Sequence, residues 1–363
     1  MNLFLKKIIT SICPPFLMNI VRGWVFDESQ IIYNGRSYRD FAEIAITEFR
    51  PKADEQERKH LLEEMKKTYI AEKFRPDEFL LYGFDKKDYK LRQEYISQRL
   101  KEVLIYQYYL PDSGKILMQL KNKYVFYTLA KPFFKREVFL IESSADWNNF
   151  KQFCKLHQQF IIKAIDKGCG VGIWKECVNT EKQAKELFEK LIDGGKYVVE
   201  ELVIQEKSLA SFNDSSVNTV RYPSFRHGNK IIGAFPFIRF GRKGSVVDNA
   251  GQGGLFASID IATGKICTCG YDEKGHQFDV HPDSGVKIMD FQIPQWQELI
   301  KEAYNAHLSL PQDHTYVAFD YALTEKGWTL IEGNWGDFVV QQTSLQRGLR
   351  KEFIDLLEGT YKN

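Results

Sequence analysis

The sequence predicts an α+β fold with a helical N-terminal region, and three observations support this class. Helical periodicity and frequent charges run from Tyr38 to about Leu110. Short apolar, β-branched runs appear from Val138 onward, and strand-like segments separated by turn residues dominate beyond Ser216. With 363 residues, 44% of them hydrophobic and 14% aromatic, the chain can bury a substantial core and form two or three lobes.

The N-terminal third contains three segments with apolar residues at three- and four-residue spacing, YRDFAEIAITEFR, EQERKHLLEEMKKTYIAEKF and EYISQRLKEVLIYQYYL. Further helices are expected from about Leu117 to Ala130, over 180–192 and over 293–310. We therefore expect three regions, which are a helical region over 1–112, a small lobe with a glycine-loop lid over 113–205, and a large lobe on an antiparallel sheet over 206–363.

The charge balance and the cysteines exclude some classes of protein. There are 50 basic and 48 acidic side chains, so the net charge of +2 favours neither a nucleic-acid partner nor an anionic membrane. The six cysteines show neither a C-x-x-C framework nor zinc-ligand spacing. We therefore expect a protein of the reducing cytoplasm.

The first 26 residues combine a basic pair with an apolar stretch, as a signal peptide or an interfacial anchor does. Pro14 and Pro15 interrupt the stretch, which does not reach membrane-spanning length. We expect a helix that packs on the protein's own core, with peripheral membrane contact as the less favoured alternative.

A candidate metal site lies on two consecutive strand-like runs, YVAFDYAL and WTLIEGN. If a three-residue loop over 325–327 joins them, with Gly327 in the left-handed conformation, Asp320 lies opposite Glu332. Strand alternation then places Asn334 on the same face as Glu332. Such oxygen ligands suit Mg²⁺ bound to nucleotide phosphates. A solvated polar face of the sheet is the alternative interpretation.

A lysine and a glycine-rich loop follow a strand in FIIKAIDKGCGVGIWK. The glycines Gly168, Gly170 and Gly172 allow backbone N–H groups to approach phosphate oxygens, and Lys163 supplies a positive charge. The motif is neither a Walker A loop nor a dinucleotide-binding fingerprint. The alternative is a glycine hairpin beside a solvated lysine.

Further polar residues lie at the ends of apolar strands. Glu200 and Glu201 end the run VVEEL, and since consecutive strand residues face opposite sides, at most one of them can face a given site. Asn218, Arg221 and Arg239 lie in SVNTVRY and FIRFGRK. Arginines in apolar strands need an anion, which can be a phosphate or carboxylate of a substrate, but two buried salt bridges would satisfy them equally well.

The order of these elements resembles the ATP-grasp enzymes, which hold ATP between two lobes. Within that superfamily, the runs SVNTVR, VDNAGQGGLFASID, HPDSG and IEGN resemble the sugar-transfer-associated ATP-grasp proteins, some of which are labelled glutamate-ligase-like or hexapeptide-transferase-family. The resemblance covers roughly residues 115 to 350 and rests on the combination of motifs. Ala164 departs from the common lysine-proline pair.

The resemblance implies a role for each candidate residue. It implies phosphate contacts from Lys123 and Lys163, closure of the 166–172 loop over the phosphates, and an adenosine pocket lined by Glu200, Glu201 and the backbone near Leu202. It also implies Mg²⁺ ligands at Asp320, Glu332 and Asn334, and a catalytic group of Asn218, Arg221 and Arg239, with the arginines near the γ-phosphate or the acceptor carboxylate.

The resemblance also implies an activity, which is ATP-dependent ligation of a carboxylate to an amine through an acyl phosphate. The expected cofactors are ATP and Mg²⁺, and the expected partners are small carboxylates and amines, some of them sugar-linked, in surface polysaccharide synthesis. Two alternatives remain open: a phosphotransferase that acts on a sugar or other hydroxyl, and a non-catalytic nucleotide-binding protein of a glycan-assembly complex.

Overall fold

A computed structural model describes residues 32–33, 36–109, 112–165, 172–245, 248, 253–335 and 338–361. The chain forms two compact units, one of residues 1–104 with 337–353 and the other of residues 105–336 with 354–363. The helix expected within the first 26 residues lies outside the described residues. The expected division into three regions remains a prediction, because the two units are defined by packing and the second contains both the four-stranded and the eight-stranded sheet.

The described helices are α1 (Tyr38–Phe49), α2 (Glu55–Glu72), α3 (Pro76–Leu81), α4 (Tyr89–Arg92), α5 (Gln98–Tyr108), α6 (Ser113–Lys121), α7 (Lys123–Phe134), α8 (Trp147–Leu156), α9 (Glu181–Gly194), α10 (Lys207–Ala210), α11 (Trp296–Ser309), α12 (Val339–Leu345) and α13 (Arg350–Glu358). Two short 3₁₀ turns, Phe84–Lys86 and Ser144–Asp146, accompany them.

The described strands are β1 (Ile32–Tyr33), β2 (Arg36–Ser37), β3 (Val138–Ile141), β4 (Gln159–Ala164), β5 (Ile173–Cys177), β6 (Tyr197–Glu201), β7 (Thr219–His227), β8 (Lys230–Gly233), β9 (Phe237–Phe240), β10 (Leu255–Ser258), β11 (Gly270–Tyr271), β12 (Gln277–Phe278), β13 (Tyr316–Thr324) and β14 (Gly327–Asn334). All the paired strands among them run antiparallel.

Aromatic side chains and one buried amide organise the first unit. The ring of Phe84 packs edge-on against Phe74, with 4.9 Å between their centroids. The segment 338–353 joins this unit through Gln342, which accepts a hydrogen bond from Ile96 N at 2.8 Å and donates one to Ile96 O at 2.9 Å. Residues 338–353 therefore pack with the helical residues of the first unit.

The helix expected from Leu117 to Ala130 is in fact two helices, α6 and α7. Asn122 ends the first and caps the second, because its Oδ1 accepts hydrogen bonds from Tyr124 N at 3.1 Å and Val125 N at 3.0 Å. Among the described helices, none is both long and apolar enough to cross a membrane.

The second unit contains a small and a large sheet. The small sheet has the order β3-β6-β4-β5 and packs on α8 and α9, where Phe150 stacks on Phe188 with 5.6 Å between ring centroids. The large sheet has the order β12-β11-β10-β9-β7-β13-β14, and β8 also pairs with β7. Strand β13 therefore lies between β7 and β14, where its side chains meet those of both neighbours.

The β13–β14 hairpin has the expected pairing of Asp320 with Glu332, but its loop length differs from the expected one. Thr324 pairs with Gly327, so the loop has two residues rather than the expected three, and Gly327 has the expected left-handed φ of 93°. The register shifts by one residue between Asp320 and Tyr321, through a β-bulge. This shift brings Asp320 opposite Glu332, as the sequence predicts.

Candidate active site

Four neighbouring strands of the large sheet place charged side chains in one row. Asp320 on β13 lies opposite Arg221 on β7 and opposite Glu332 on β14. Arg239 on β9 lies opposite Thr219, two residues before Arg221, so the strand period of two puts it on the same face. The row therefore brings together two guanidiniums and two carboxylates.

Asp320 is the centre of this row and is fully buried. Arg221 donates hydrogen bonds from Nε to Oδ1 and from Nη2 to Oδ2, both at 2.6 Å, and Arg239 donates from Nη2 to Oδ2 at 2.8 Å. Burial alone would raise the pKa of Asp320, but the two guanidiniums outweigh burial and lower this pKa to about 2. Arg221 and Arg239 thus form buried salt bridges with a carboxylate of the protein, which is one of the two alternatives that the sequence allows for these arginines.

Asn334 joins the two carboxylates of the hairpin. Its Nδ2 donates to Asp320 Oδ2 at 3.3 Å and to Glu332 Oε1 at 3.1 Å. The side chain of Glu332 is 34% exposed, whereas that of Asp320 is inaccessible. Desolvation and the neighbouring Asp320 carboxylate raise the pKa of Glu332. One oxygen of Asp320 and one oxygen of Glu332 therefore lie within hydrogen-bond distance of the same atom, Asn334 Nδ2.

A third carboxylate, Asp248, lies at the other end of the row. It accepts a hydrogen bond from Thr219 N at 3.0 Å, and its Oδ2 lies 3.6 Å from Arg239 Nε. Thr219 Oγ1 accepts from Arg239 Nη2 at 2.7 Å. Burial raises the pKa of Asp248, although Arg239 opposes the shift. Asp248 and Thr219 thus fix the position of the Arg239 side chain.

Asn218 is fully buried, and its amide is bonded on both ends. Its Nδ2 donates to Gln205 Oε1 at 2.8 Å, to Leu209 O at 2.9 Å and to Asn213 O at 2.9 Å. Its Oδ1 accepts from Gly241 N at 3.1 Å. This geometry favours a positioning role at the start of β7, and direct participation of Asn218 in catalysis stays a prediction.

On the small sheet, Lys163 of β4 and Glu200 of β6 form a buried ion pair. Their Nζ and Oε1 atoms are 2.9 Å apart, and both side chains are less than a tenth exposed. Ile161 is the direct cross-strand partner of Glu200, so Lys163 is its diagonal neighbour on the same face. Burial would raise the pKa of Glu200, but Arg136 and Lys163 outweigh burial and lower it to about 2.

Arg136 is a site residue that the sequence reasoning missed. Its Nε and Nη2 donate to Glu200 Oε2 at 3.0 and 2.6 Å. Its Nη1 donates to Leu330 O at 2.5 Å, to Phe134 O at 3.2 Å and to Thr329 Oγ1 at 3.3 Å. The side chain is 4% exposed. A single arginine between a helix and a strand gave no local signal, since its partners are distant in the chain.

The other expected phosphate ligands lie at the end of β4. Lys123 Nζ donates to Ala164 O at 3.1 Å. Ala164 N donates to Gly172 O at 2.9 Å, and Gly172 has a left-handed φ of 71°, which a glycine adopts without strain. Gly168 and Gly170 lie outside the described residues. Ala164 and Gly172, on either side of the glycine loop, are therefore bonded to each other. Ala164 also follows Lys163 in the chain and binds Lys123.

Glu200 and Glu201 face opposite sides of β6, as strand alternation requires. Glu201 Oε2 accepts a hydrogen bond from Glu137 N at 3.1 Å, away from the Lys163 pair. Leu202 follows the strand and is half-buried. Only Glu200 of this carboxylate pair therefore shares a face with Lys163.

Two observations connect the charged residues of the small sheet with those of the large sheet. Burial and Asp320 raise the pKa of Glu332, and the charge of Lys163 is among those that oppose the rise. Arg136 bonds to the carbonyl of Leu330, two residues before Glu332 on β14. Lys163 of the small sheet and Glu332 of the large sheet therefore lie within electrostatic range of each other.

Comparison with known proteins gives a family for this arrangement. No curated protein sequence matches the chain. Among solved structures, D-alanyl-alanine synthetase A from Vibrio cholerae is similar at 14% identity over 67% of this chain and 65% of that chain, with a TM-score of 0.40. N5-carboxyaminoimidazole synthetase from Staphylococcus aureus, complexed with ADP, is 14% identical over 74% and 60%, with a TM-score of 0.43.

An ATP-grasp ligase from Chryseobacterium gregarium, in complex with ADP and a leader and core peptide, is 13% identical over 77% of this chain and 74% of that chain, with a TM-score of 0.41. The chain thus spans less than two thirds of the length of the first two structures. At these values the similarities carry no argument about activity.

The family model described as sugar-transfer associated ATP-grasp matches residues 104–356. This range contains the small sheet, the large sheet, the Lys163–Glu200 pair and the β13–β14 hairpin. The α+β class, the ATP-grasp fold and the resemblance found in the sequence are thereby confirmed. The chain belongs to the sugar-transfer-associated ATP-grasp family.

Proposed function

We propose that this protein is an ATP-dependent ligase that joins a carboxylate to an amine through an acyl phosphate. The observation that carries the proposal is that Arg136 bonds both Glu200, the partner of Lys163, and Leu330 O on the strand that bears Glu332 and Asn334. A triphosphate needs positive charge on one side and oxygen ligands for Mg²⁺ on the other. Family membership supports the same assignment.

The residues of the oxygen cluster fit a magnesium ion. Among the described residues, no three His, Cys, Asp or Glu side chains are grouped to hold a metal, so the set depends on the amide of Asn334. Its Nδ2 touches one oxygen of each carboxylate, and a rotation of the amide by half a turn would present Oδ1 instead. Mg²⁺ bound by Asp320, Glu332 and Asn334 would neutralise charge on the transferred phosphoryl group.

The arginines of the row have two tasks in this proposal. Arg221 and Arg239 keep Asp320 ionised, because their charges outweigh the effect of burial. They also hold positive charge beside the oxygen cluster, where a substrate carboxylate would lose its water shell. Their side chains are 10% and 12% exposed, so the guanidiniums lie at the edge of the buried row.

The proposed reaction has two steps. A carboxylate oxygen of the substrate attacks the γ-phosphorus of ATP, and the bond to ADP breaks. The amine nitrogen then attacks the acyl carbon, the phosphate leaves, and the amine proton passes to solvent. Because an acyl phosphate hydrolyses readily, the site must exclude water. The loop over 166–172, for which the resemblance implies that task, lies outside the described residues except for Gly172.

The proposed substrate class takes its support from the description of the family. The description of the family as sugar-transfer associated supports a role in polysaccharide or related precursor synthesis. We therefore propose a small, sugar-linked carboxylate or amine as one of the two substrates, with no nucleic-acid partner and action in the cytoplasm.

The test is turnover of ATP and Mg²⁺ with a panel of sugar acids, amino acids and amino sugars. We expect ADP, phosphate and a new amide in equal amounts. A phosphorylated hydroxyl without free phosphate would instead support a phosphotransferase. ATP binding without turnover for any pair would support a non-catalytic nucleotide-binding protein.

A further inference from the structure

We infer that Arg136 is a positioning residue that leaves the charge of Lys163 available to a phosphate group. The inference concerns the cluster of Arg136, Glu200 and Lys163, which we call the charge trio. It rests on the proposed nucleotide site and deepens it. Arg136 itself is 4% exposed and takes part without touching the ligand.

The argument begins with the charges of the trio. Glu200 is ionised, since its pKa lies at about 2. Its Oε1 binds Lys163 and its Oε2 binds Arg136, so one carboxylate is shared by two cations. The trio therefore carries one positive charge in surplus. Surplus charge in a buried cluster favours an anionic ligand, because few solvent dipoles are present to compensate it.

Without Arg136, the net charge of the cluster would change from +1 to zero. Glu200 and Lys163 alone would form a neutral pair, and a neutral pair attracts a phosphate only weakly. Arg136 satisfies Glu200 with two donors from one edge of its guanidinium, at 3.0 and 2.6 Å. Both donors converge on Oε2, and the fixed planar spacing of these two N–H groups is one that a lysine cannot reproduce.

The remaining edge of Arg136 fixes the trio to the large sheet. Its Nη1 donates to Leu330 O at 2.5 Å, and Leu330 precedes Glu332 by two residues on β14. Thr329 of the same strand donates to Phe134 O, which also accepts from Arg136. One side chain thus contacts both the carboxylate partner of Lys163 and the strand that carries Glu332.

The test measures the binding of ADP and of adenosine by calorimetry, since only ADP carries the phosphates. Arg136→Met keeps the side-chain length and removes the charge. We expect it to weaken ADP binding by ~10-fold or more, because the trio loses its surplus positive charge, and to leave adenosine binding within about twofold. Lys190→Met, which removes a charge from an exposed position on α9, is the matched control and should change neither.

Two further variants separate charge from structure. In Arg136→Met with Glu200→Gln, the trio again carries one positive charge in surplus, so ADP binding should recover relative to Arg136→Met alone. Arg136→Lys should recover it only in part. Equal weakening of ADP and adenosine, or no recovery in the double variant, would overturn the inference alone. Failure of the unmutated protein to bind ADP would overturn the proposed function as well.

Discussion

Arg221 holds both carboxylate oxygens of Asp320 at 2.6 Å, from the strand opposite to the one that carries Glu332. Asp320 is therefore tied to the sheet on one side and shares the oxygen cluster on the other. A buried carboxylate with this geometry stabilises the fold and the site through the same contacts. The two effects can be separated by measuring stability and activity independently.

Arg221→Met should destabilise the fold, because it leaves Asp320 buried with one guanidinium instead of two. We expect the free energy of unfolding to fall by about 3 kcal/mol, as measured by urea unfolding at pH 7. Arg242→Met breaks an ion pair with Asp283 at a side chain that is 36% exposed, and it should lose less than about 1 kcal/mol. Similar losses in the two variants would contradict the buried role of Arg221.

Asn334→Ala should weaken magnesium binding without unfolding the hairpin, because the amide is half-buried and at the end of β14. We expect the Mg²⁺ concentration for half-maximal ADP formation to rise by about tenfold. The rise in melting temperature on adding Mg²⁺ with ADP should shrink in parallel. Glu325→Gln, at the exposed hairpin loop, is the matched control.

Glu332→Gln tests the carboxylate of the same cluster. The change keeps size and removes the charge that a cation requires, so ADP formation should be lost while the unfolding midpoint stays within a few degrees of the unmutated value. ADP formation at near-normal rates in both Glu332→Gln and Asn334→Ala would refute the metal assignment. Loss of folding in either variant, seen by circular dichroism, would instead reveal a structural role.

The sequence sufficed for features that depend on local pattern. The opposition of Asp320 and Glu332 follows from alternation and a hairpin, although the loop is one residue shorter than expected and a bulge supplies the difference. A bulge depends on the twist of the whole sheet, which local residues do not specify. The break at Asn122 was also missed, since the apolar period continues across α6 and α7.

The role of Arg136 could not be predicted, because it depends on contacts distant in the chain. Arg136 lies 64 residues from Glu200 and 194 residues from Leu330. Arg221 and Arg239 were identified as a pair that needs an anion, and the structure supplies Asp320 as that anion. The sequence pattern thus indicated which side chains need partners, while tertiary packing determined the partners.

Gly333→Ala should disturb the oxygen cluster through the helix that packs on it. A Cβ at Gly333 would lie 2.2 Å from Cζ of Phe126, whose ring is 1% exposed and packed against Phe134. Gly333 lies between Glu332 and Asn334, so the displaced strand would carry both away from Asp320. We expect a loss of about 2 kcal/mol in unfolding free energy, together with reduced ADP formation.

A compensating change tests this steric explanation. Phe126→Leu removes the ring atoms that clash, so Gly333→Ala with Phe126→Leu should be more active than Gly333→Ala alone. Gly114→Ala, on α6 with no atom within 4 Å of the added carbon, is the control and should not reduce stability. If the double variant is no better than the single one, the close approach of Phe126 is not the cause.

The stability of the second unit should depend on pH through His307, which is fully buried. Its Nδ1 accepts from Ser224 Oγ at 2.7 Å when its Nε2 donates to His314 O at 2.6 Å, so both ring nitrogens are used by the neutral form. Burial, with lesser contributions from neighbouring charges, lowers the pKa of His307 from 6.5 to about 4.

Because the unfolded chain binds this proton more readily than the folded one, the free energy of unfolding should fall as pH decreases from about 6.5 to about 4 and change little through this group below that range. The contribution of His307 to the loss between pH 7.5 and pH 5 is about 2 kcal/mol. Urea unfolding at the two pH values should therefore show a smaller loss in His307→Gln than in the unmutated protein. His276→Gln, at a side chain that is 68% exposed, should leave the loss unchanged. An equal loss in His307→Gln and the unmutated protein would show that the buried ring is not what makes the fold sensitive to acid.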